Sequence, residues 1–318
     1  MKRFLAIVMV LILALSLVSC GGNAMTMGTG GTSGTYYGYG SVLGQYIKNN
    51  AGIDVTAVAT EGSKANIQGI DVGNYQLATV QSDVLAYAWE GTGTFAEDGK
   101  VDSFRVVAGL YAEAVQLLTM DADIKTVADL KGKNVSIGAP NSGVYFNAID
   151  VLGAAGLTEQ DINAQYQSFA DSADALKDGK IDAAFIVAGA PTPAITELCT
   201  TNPDAHLLPI DGALADGLIN KEGSYYTAYT IPAGTYNGQT EDITTITVKA
   251  TLIVDVNAAE DDVYALTAAI FDNAAAITKE HAKGAELSVE NATGGMAAPF
   301  HAGAAKYFAE KGVEVPVE

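Results

Sequence analysis

Residues 28–37 read Gly28-Thr29-Gly30-Gly31-Thr32-Ser33-Gly34-Thr35-Tyr36-Tyr37 and stand between a short apolar run and a segment with helical periodicity. The apolar run Met25–Gly28 predicts a strand, and large side chains then recur every three or four positions as far as Gly52. A chain that turns through glycines and then begins a helix leaves backbone N–H groups without intrahelical partners, and the helix dipole adds positive charge there. The stretch therefore predicts a strand, a tight turn and a helix start that can bind an anion without a charged side chain.

Hydroxyl groups add to the backbone donors of this loop, because serine and threonine can each donate one hydrogen bond. We therefore expect a ligand to contact Gly31, Thr32, Ser33, Thr35 and Tyr36. A dinucleotide-binding fingerprint is the competing interpretation, but that pattern requires glycine or alanine where this chain has Ser33. The loop is better explained as a site for a small anion.

The first nineteen residues have the features of a secretory leader. Lys2 and Arg3 precede the apolar run Phe4–Leu17, and Leu17-Val18-Ser19-Cys20 has the form of a lipoprotein cleavage site. We expect a signal peptide over residues 1–19, a lipid on the sulfur of Cys20 and a short tether over residues 20–24. An uncleaved anchor is the alternative, although the run is short for a membrane-spanning helix. The expected location is extracytoplasmic, on the outer face of the cytoplasmic membrane or in the periplasm, with membrane contact through the lipid alone.

The composition is acidic and poor in arginine. The 318-residue chain has a net charge of −20, or −22 once Lys2 and Arg3 leave with the leader. Such acidity argues against nucleic acid and anionic lipid headgroups as partners. Arg105 is the one arginine that would remain, so a bidentate arginine clamp on a ligand carboxylate is possible at a single place.

Residues that support catalysis or metal binding are few. Cys199 would have no partner in the mature chain, so we expect no intrachain disulfide and a small buried side chain. The three histidines, at positions 206, 281 and 301, are far apart and have no metal-ligand spacing. No nucleophile elbow or cysteine–histidine pair is present. The sequence therefore predicts no metal, no cofactor and no enzyme activity.

Short β-type runs alternate with helical patterns along the chain, which is typical of an α/β protein. Two consecutive runs, Phe104–Leu110 and Ala114–Met120, are expected to leave a first lobe, and the longest run, Thr245–Asp255, to return to it. Residues 211–239 lack periodicity and are expected to be irregular. The prediction is two α/β lobes around a ligand cleft with a two-strand hinge, lobe 1 spanning residues 25–112 and 248–318 and lobe 2 residues 113–247.

A weak internal repeat supports two lobes built on one plan. Ser33–Tyr37 recurs as Ser142–Phe146, 109 residues later, and Gly73–Ala78 resembles Gly179–Ala184, 106 residues later. Chance similarity between short glycine- and alanine-rich segments is the alternative. If the repeat is real, a second helix start at Asn141, Ser142, Gly143 and Val144 faces the first across the cleft. An ordinary N-cap role for Ser142 remains open.

Further candidates follow from strand ends, because ligands of open α/β sheets bind beyond the carboxyl ends of the strands. Gln81 and Ser82 follow one predicted strand, and Ala188 and Gly189 follow its counterpart in the other lobe. Tyr111 and Glu113 stand at the crossing between lobes, within reach of a ligand. Glu61 could bind an ammonium group of a ligand, or its negative charge could stabilise the next helix through the helix dipole. We expect Ser63 to cap that helix.

Several motifs, taken in order, resemble those of the TAXI-type solute receptors of tripartite ATP-independent periplasmic (TRAP) transporters, over essentially the whole mature length. The motifs are Gly28–Tyr37, Val80–Asp83, Ala128–Lys133, Ser142-Gly143, Asp174–Ala184, Ala188–Ile195, Ile231–Tyr236 and Pro299–His301. The resemblance implies a type II periplasmic-binding-protein fold that closes on a glutamate- or glutamine-like ligand or another small carboxylate. It also implies delivery to an ion-driven permease. Glu61 and Ala302 depart from the family pattern, and Glu61 bears on the charge preference of the cleft.

The expected function is thus a lipid-anchored receptor for a small anionic or zwitterionic solute, acting as a monomer with TRAP permease subunits. Two alternatives stay open from the sequence. One is the binding lipoprotein of an ABC importer, and the other is a surface antigen without a role in transport.

Overall fold

The computed structural model describes residues 24–317, so the expected signal peptide and Cys20 lie outside the described residues. Within this range the chain forms one mixed ten-stranded sheet with helices packed on it. The strands are β1 (Ala24–Gly28), β2 (Asp54–Val58), β3 (Leu77–Gln81), β4 (Phe104–Thr119), β5 (Asn134–Ser136), β6 (Asn163–Gln165), β7 (Ala183–Ala188), β8 (His206–Leu208), β9 (Thr227–Ile231) and β10 (Ile243–Asp255).

Eleven α-helices lie between residues 24 and 317. They are α1 (Thr35–Ala51), α2 (Ser63–Asp71), α3 (Ser82–Glu90), α4 (Gly143–Ala154), α5 (Phe169–Lys177), α6 (Pro193–Thr201), α7 (Gly212–Ile219), α8 (Glu260–Phe271), α9 (Ala274–Glu280), α10 (Val289–Thr293) and α11 (Ala302–Glu310).

The two halves of the sheet follow the same plan. In one half β1 lies between β2 and β3, parallel to both, and β3 pairs antiparallel with β10. In the other half β5 lies between β6 and β7, parallel to both, and β7 pairs antiparallel with β4. The topology thus agrees with the repeat found in the sequence, and each half begins with a strand, a turn and a helix.

Each half has its own hydrophobic core. One core draws its buried side chains from residues 25–111 and 250–308. The other half is filled by two clusters, one on each face of the sheet, from residues 114–248. Burial of apolar side chains on both faces stabilises each half as a lobe.

The lobes are joined by β4 and β10, which pair antiparallel from Phe104–Asp255 at one end to Ala114–Thr247 at the other. The sequence divided β4 into Phe104–Leu110 and Ala114–Met120, and that division was wrong. Ala112 and Glu113 pair with Lys249 and Val248, so β4 is continuous over 16 residues and is longer than β10. The two strands still make the expected two-strand hinge.

Three other local predictions need correction. Residues 211–239 are not irregular throughout, because α7 buries Ala215 and Leu218 and β9 pairs with β10. Helix α3 was missed, and six of its nine residues are buried, so the buried positions are not confined to one face. Ser63 begins α2 rather than capping it, and Gly62 takes the N-cap position with φ at 114°.

Candidate functional site

A cavity of about 160 Å³ lies between the lobes, above the hinge. Its walls include the starts of four helices, α1 and α2 from one lobe and α4 and α5 from the other. Each helix start places positive dipole charge and N–H donors near the cavity. The cavity is therefore suited to an anionic group although no lysine or arginine is among the described residues that line it.

The start of α1 is formed by the glycine-rich loop within residues 28–37. Gly34 occupies the N-cap position in extended conformation and no side chain caps the helix, so its first-turn N–H groups are left for other partners. The Thr35 hydroxyl is engaged, because it donates to the Gly189 carbonyl of the other lobe at 2.8 Å. The loop thus presents mainly backbone donors to the cavity.

At the α4 start, the Ser142 hydroxyl donates to the Ala139 carbonyl at 2.7 Å and accepts from the Tyr145 N–H. Its role as an N-cap, which the sequence left open, is therefore the one observed. Gly143 follows, and a Cβ there would lie 1.5 Å from Oε1 of Gln81. Only glycine permits this close approach of the two lobes.

The floor of the cavity is the hinge strand β4. Tyr111 and Glu113 are two residues apart and both line the cavity, as strand alternation requires. Ala112 faces the opposite side, where its N–H donates to Oε2 of Glu286 at 2.7 Å. The continuity of β4 is what sets both side chains on the floor.

Several buried polar atoms of the cavity lining have no hydrogen-bond partner within residues 24–317. They are the hydroxyls of Tyr36 and Tyr111 and the oxygens Oε1 of Gln81, Glu113 and Gln167. Buried polar groups in native proteins are nearly always satisfied. A cavity wall that carries five such atoms is therefore shaped for a polar ligand or for water.

Burial controls the charge of these groups. It raises the pKa of Glu113 to about 8, with nearby Asp83 acting in the same direction and Tyr36, Gln81 and Lys283 in the opposite one. Burial also raises the pKa of Tyr36 and Tyr111 well above the ordinary value of tyrosine, so both hydroxyls stay protonated and can donate.

Behind the cavity a second buried network crosses between the lobes. Asn147 donates to Oδ2 of Asp83 and to the Tyr226 hydroxyl, each at 2.8 Å, and Tyr226 donates to Asp150 at 2.9 Å. Burial raises the pKa of Asp83 to about 6. The bond from Asn147 joins α4 of one lobe to α3 of the other.

Further contacts hold the lobes together around the cavity. The Asn141 carbonyl accepts from the N–H groups of Lys64 and Ala65 at the start of α2, and its side chain donates to Oε2 of Glu61 at 2.7 Å. The Ala194 N–H donates to the Ser33 carbonyl at 3.1 Å. The arrangement is a closed one, with the cavity covered from both sides.

Residues 27–312 match the profile of the NMT1-like family. The chain belongs to the NMT1-like family.

Solved structures with the same fold include three binding proteins of low sequence identity. One is the binding protein component of an ABC phosphonate transporter from Pseudomonas aeruginosa (TM-score 0.54, 13% identity, 82% of this chain and 79% of that chain covered). Another is PhnD1 from Prochlorococcus marinus in complex with methylphosphonate (0.52, 11%, 79% and 84%). The third is the alkanesulfonate-binding protein SsuA from Xanthomonas axonopodis pv. citri bound to MOPS (0.50, 16%, 85% and 82%). The likeness confirms the predicted α/β fold of the type II periplasmic binding proteins.

Ten of the fifteen ligand-binding residues predicted from the sequence line the cavity of this NMT1-like chain. They are Gly31, Thr35, Tyr36, Glu61, Gln81, Tyr111, Ser142, Gly143, Val144 and Ala188. Two helix starts and two strand ends account for most of them, because the β-sheet brings equivalent ends of the two repeats to one cleft.

Five predicted residues do not line it. Thr32 is exposed, and Ser33, Asn141 and Gly189 make the contacts between lobes described above. The Ser82 hydroxyl accepts from the Lys249 N–H at 3.1 Å, so it fixes β3 against the hinge.

The other residues that line the cavity were not among the fifteen predicted ligand contacts. They are Gly30, Gly34, Thr60, Gly62, Ser63, Ala139, Gln167, Ser168, Phe169 and Val187, together with Glu113, which the sequence placed at the crossing but not among the fifteen. The α5 start has a detectable signal, because Ser168 caps the helix by accepting from the Asp171 N–H, and Ser-x-x-Asp is a helix-start pattern.

Two residues considered in the sequence analysis, Arg105 and Cys199, lie outside the cavity lining. Arg105 donates to the Asp102 and Phe104 carbonyls and stacks on Trp89, away from the cavity walls. Cys199 is buried, as predicted. Among residues 24–317 no cluster of metal-ligating side chains is found, and no helix in that range has the length and hydropathy to cross a membrane.

Proposed function

We propose that this chain is an extracytoplasmic receptor that captures a small carboxylate or amino acid for a membrane transporter. One observation carries the proposal: helix starts from both lobes face a single cavity whose floor holds a buried carboxyl and unpartnered polar atoms. Backbone N–H groups and helix dipoles are a common means of holding a carboxylate. Two proteins with the same fold also bind small solutes that carry an anionic group. PhnD1 was solved with methylphosphonate, and SsuA is an alkanesulfonate-binding protein.

The contacts between lobes support capture by closure. Contacts such as those of Asn141 with Glu61 and α2 exist only when the lobes meet. A ligand that binds the closed state better than the open state shifts the population toward closure. In this scheme the ten cavity residues contact ligand, whereas Ser33, Asn141 and Gly189 maintain the closed state.

The transporter is proposed to be of the TRAP type, on the strength of the TAXI-like motifs from Gly28–Tyr37 to Pro299–His301. An ABC importer is the second candidate, because one of the fold neighbours is the binding protein component of an ABC phosphonate transporter. The lipid on Cys20, the monomeric state and the lobe boundaries at 112/113 and 247/248 are part of the same proposal.

Native mass spectrometry of the purified protein, followed by thermal-shift screening of amino acids and carboxylates, tests solute capture. A ligand that binds only the folded protein raises the melting temperature with concentration. We expect at least one such solute to be carried by the protein or to stabilise it. A protein that binds no member of either class would be an antigen or an enzyme rather than this kind of receptor.

Transport assays with right-side-out vesicles from the source cells separate the two transporter types. Added receptor with bound solute should support uptake that stops when the sodium and proton gradients collapse and continues without ATP. Uptake that requires ATP and survives loss of both gradients would assign the protein to an ABC importer.

A further inference from the structure

The cavity contains two formal charges among its described lining residues, Glu61 and Glu113. Glu61 is exposed at the rim and already accepts from the Asn141 side chain. Glu113 is 2% exposed, and its Oε1 has no partner within the described chain. The carboxyl available to a ligand is therefore Glu113 rather than Glu61.

No cation is among the described residues that line the cavity beside Glu113. The ammonium group of Lys283 lies over the Tyr111 ring, 5.9 Å from its centroid, and is bound to Glu286 at 2.8 Å, so it lowers the pKa of Glu113 only in part. A ligand with only anionic groups offers no partner for the ionised form of this buried carboxyl, so Glu113 keeps its proton. A ligand with a protonated amine would supply the missing cation.

We propose that Glu113 determines specificity by accepting hydrogen bonds from a protonated amine of the ligand, while the helix starts above it hold the ligand carboxylate. This inference rests on the proposed function and narrows its ligand class. The solute is then a zwitterion, and the receptor binds carboxylic acids without an amine more weakly.

Charged and titratable groups reach Glu113 from every element packed around it. Tyr36 comes from α1, Asp83 from α3, Tyr111 from β4 itself and Lys283 from the segment Ala282–Glu286. The tyrosines stay neutral, and burial with Asp83 favours the protonated form of Glu113 in the closed, empty cleft. An ammonium group instead favours the carboxylate. Binding of an amino acid therefore displaces the proton from Glu113, whereas binding of an acid without an amine leaves it in place.

The test compares matched pairs of probes that differ in the amine: L-glutamate with glutarate, L-alanine with propionate, and L-leucine with 4-methylpentanoate. Isothermal calorimetry at pH 7, in two buffers of different ionisation enthalpy, gives both affinity and proton exchange for the wild-type protein. In the pair that fits the cleft, we expect the amino acid to bind about 100-fold more tightly than its partner. Binding of the amino acid should release close to one proton, and binding of the acid should exchange close to none.

Two variants test whether Glu113 is the residue that determines the preference for an amine. Glu113→Gln keeps the shape of the side chain and should reduce the preference for the amino acid to less than about 10-fold. Glu197→Gln, at an exposed glutamate of α6 outside the cavity lining, is the matched control, and it should leave the preference unchanged. Thermal unfolding verifies that each variant is folded, and the proton counts on wild-type protein need no variant.

The outcomes are separable. If no probe and no other screened solute binds, the proposed function fails. If solutes bind but the acid binds as tightly as its amino acid, or if Glu113→Gln leaves the preference intact, the receptor function stands and the role of Glu113 is refuted.

Discussion

At the residue scale, the two buried carboxyls of the cleft region should govern how stability depends on pH. The pKa of Glu113 rises from 4.5 to about 8 and that of Asp83 from 3.8 to about 6, both mainly through burial. Each group binds a proton more readily in the folded than in the unfolded chain. Their contribution is therefore most favourable below the unfolded pKa and is lost as pH rises through the folded pKa.

Glu113→Gln should remove the loss of folding stability that Glu113 causes between pH 4.5 and 8. The variant is expected to be more stable than wild type by about 3 kcal/mol at pH 7, and about equal to it at pH 4. Urea unfolding of ligand-free protein from about pH 4 to 9 measures the difference. Parallel profiles for the two proteins would mean that Glu113 is solvated in the free receptor.

Asp83→Asn should change the stability over a lower range of pH. The side-chain carbonyl of the introduced amide can still accept from Asn147. The fall in stability that Asp83 contributes between about pH 4 and 6 should disappear, while the fall that Glu113 contributes between about pH 4.5 and 8 remains. The same urea series checks this result. Since Asp83 also helps to raise the pKa of Glu113, the remaining fall should move to slightly lower pH, and a shift to higher pH would contradict the coupling.

At the element scale, the packing of α11 on α8 depends on a glycine. A Cβ at Gly303 would lie 2.2 Å from the Glu260 carbonyl oxygen and 2.6 Å from the Tyr264 nitrogen, both backbone atoms that cannot rotate away. Gly303→Ala should therefore separate the helices and destabilise the protein by about 1–3 kcal/mol.

Gly217→Ala is the matched control, because Gly217 is an exposed helical glycine with no atom within 4 Å of the added Cβ. Its helix α7 should gain about 0.5–1 kcal/mol from the lower entropy of the unfolded chain. Urea unfolding of both variants gives the comparison. Equal effects of the two substitutions would show that helix propensity, and not interhelical packing, limits position 303.

Element prediction succeeded where the local pattern had one meaning. Strand β1, helix α1 and helix α2 follow from an apolar run, a glycine turn and a clear helical period, and their bounds differ little from those expected. The pattern failed for α3, which is buried on most sides, and for the middle of β4. There Tyr111 and Glu113 looked like a break, because polar groups are unusual in a buried strand, and pairing with β10 overrides that local signal.

At the scale of the whole molecule, the rim contact between Asn141 and Glu61 should affect ligand affinity more than stability. Asn141→Asp places a second carboxylate against Glu61 and removes a hydrogen bond of 2.7 Å between the lobes. Because the repulsion acts only when the lobes meet, we expect ligand affinity to fall about 10-fold, with little change in the melting temperature of the ligand-free protein.

The double variant Asn141→Asp with Glu61→Gln provides the control. The amide introduced at position 61 can donate to the carboxylate introduced at position 141, so the double variant should return to within about 3-fold of the wild-type affinity. Calorimetry with the best solute from the screen measures the wild type, both single variants and the double variant. Additive losses in the double variant would show that the two side chains do not act as a pair.

The sequence alone determined the fold class, the repeat and much of the wall of the cleft. These properties follow from apolar periodicity and from glycine-rich helix starts, which are local features, and from the rule that strand ends of an α/β sheet share one edge. The sequence also determined that arginine could not dominate recognition, since Arg105 is the one arginine beyond residue 3.

Tertiary structure decided which carboxyl matters. In the sequence both were candidates, Glu61 beside a helix start and Glu113 at the crossing between the lobes, but only Glu61 was among the predicted ligand-binding residues. Folding exposes Glu61 at the rim and buries Glu113 on the continuous strand that joins the lobes. Burial depends on elements distant in the chain, α1, α3 and the segment Ala282–Glu286, so no local pattern reveals it. The glycine loop that begins at Gly28 holds one side of the cleft, and the floor that faces it is set by long-range packing.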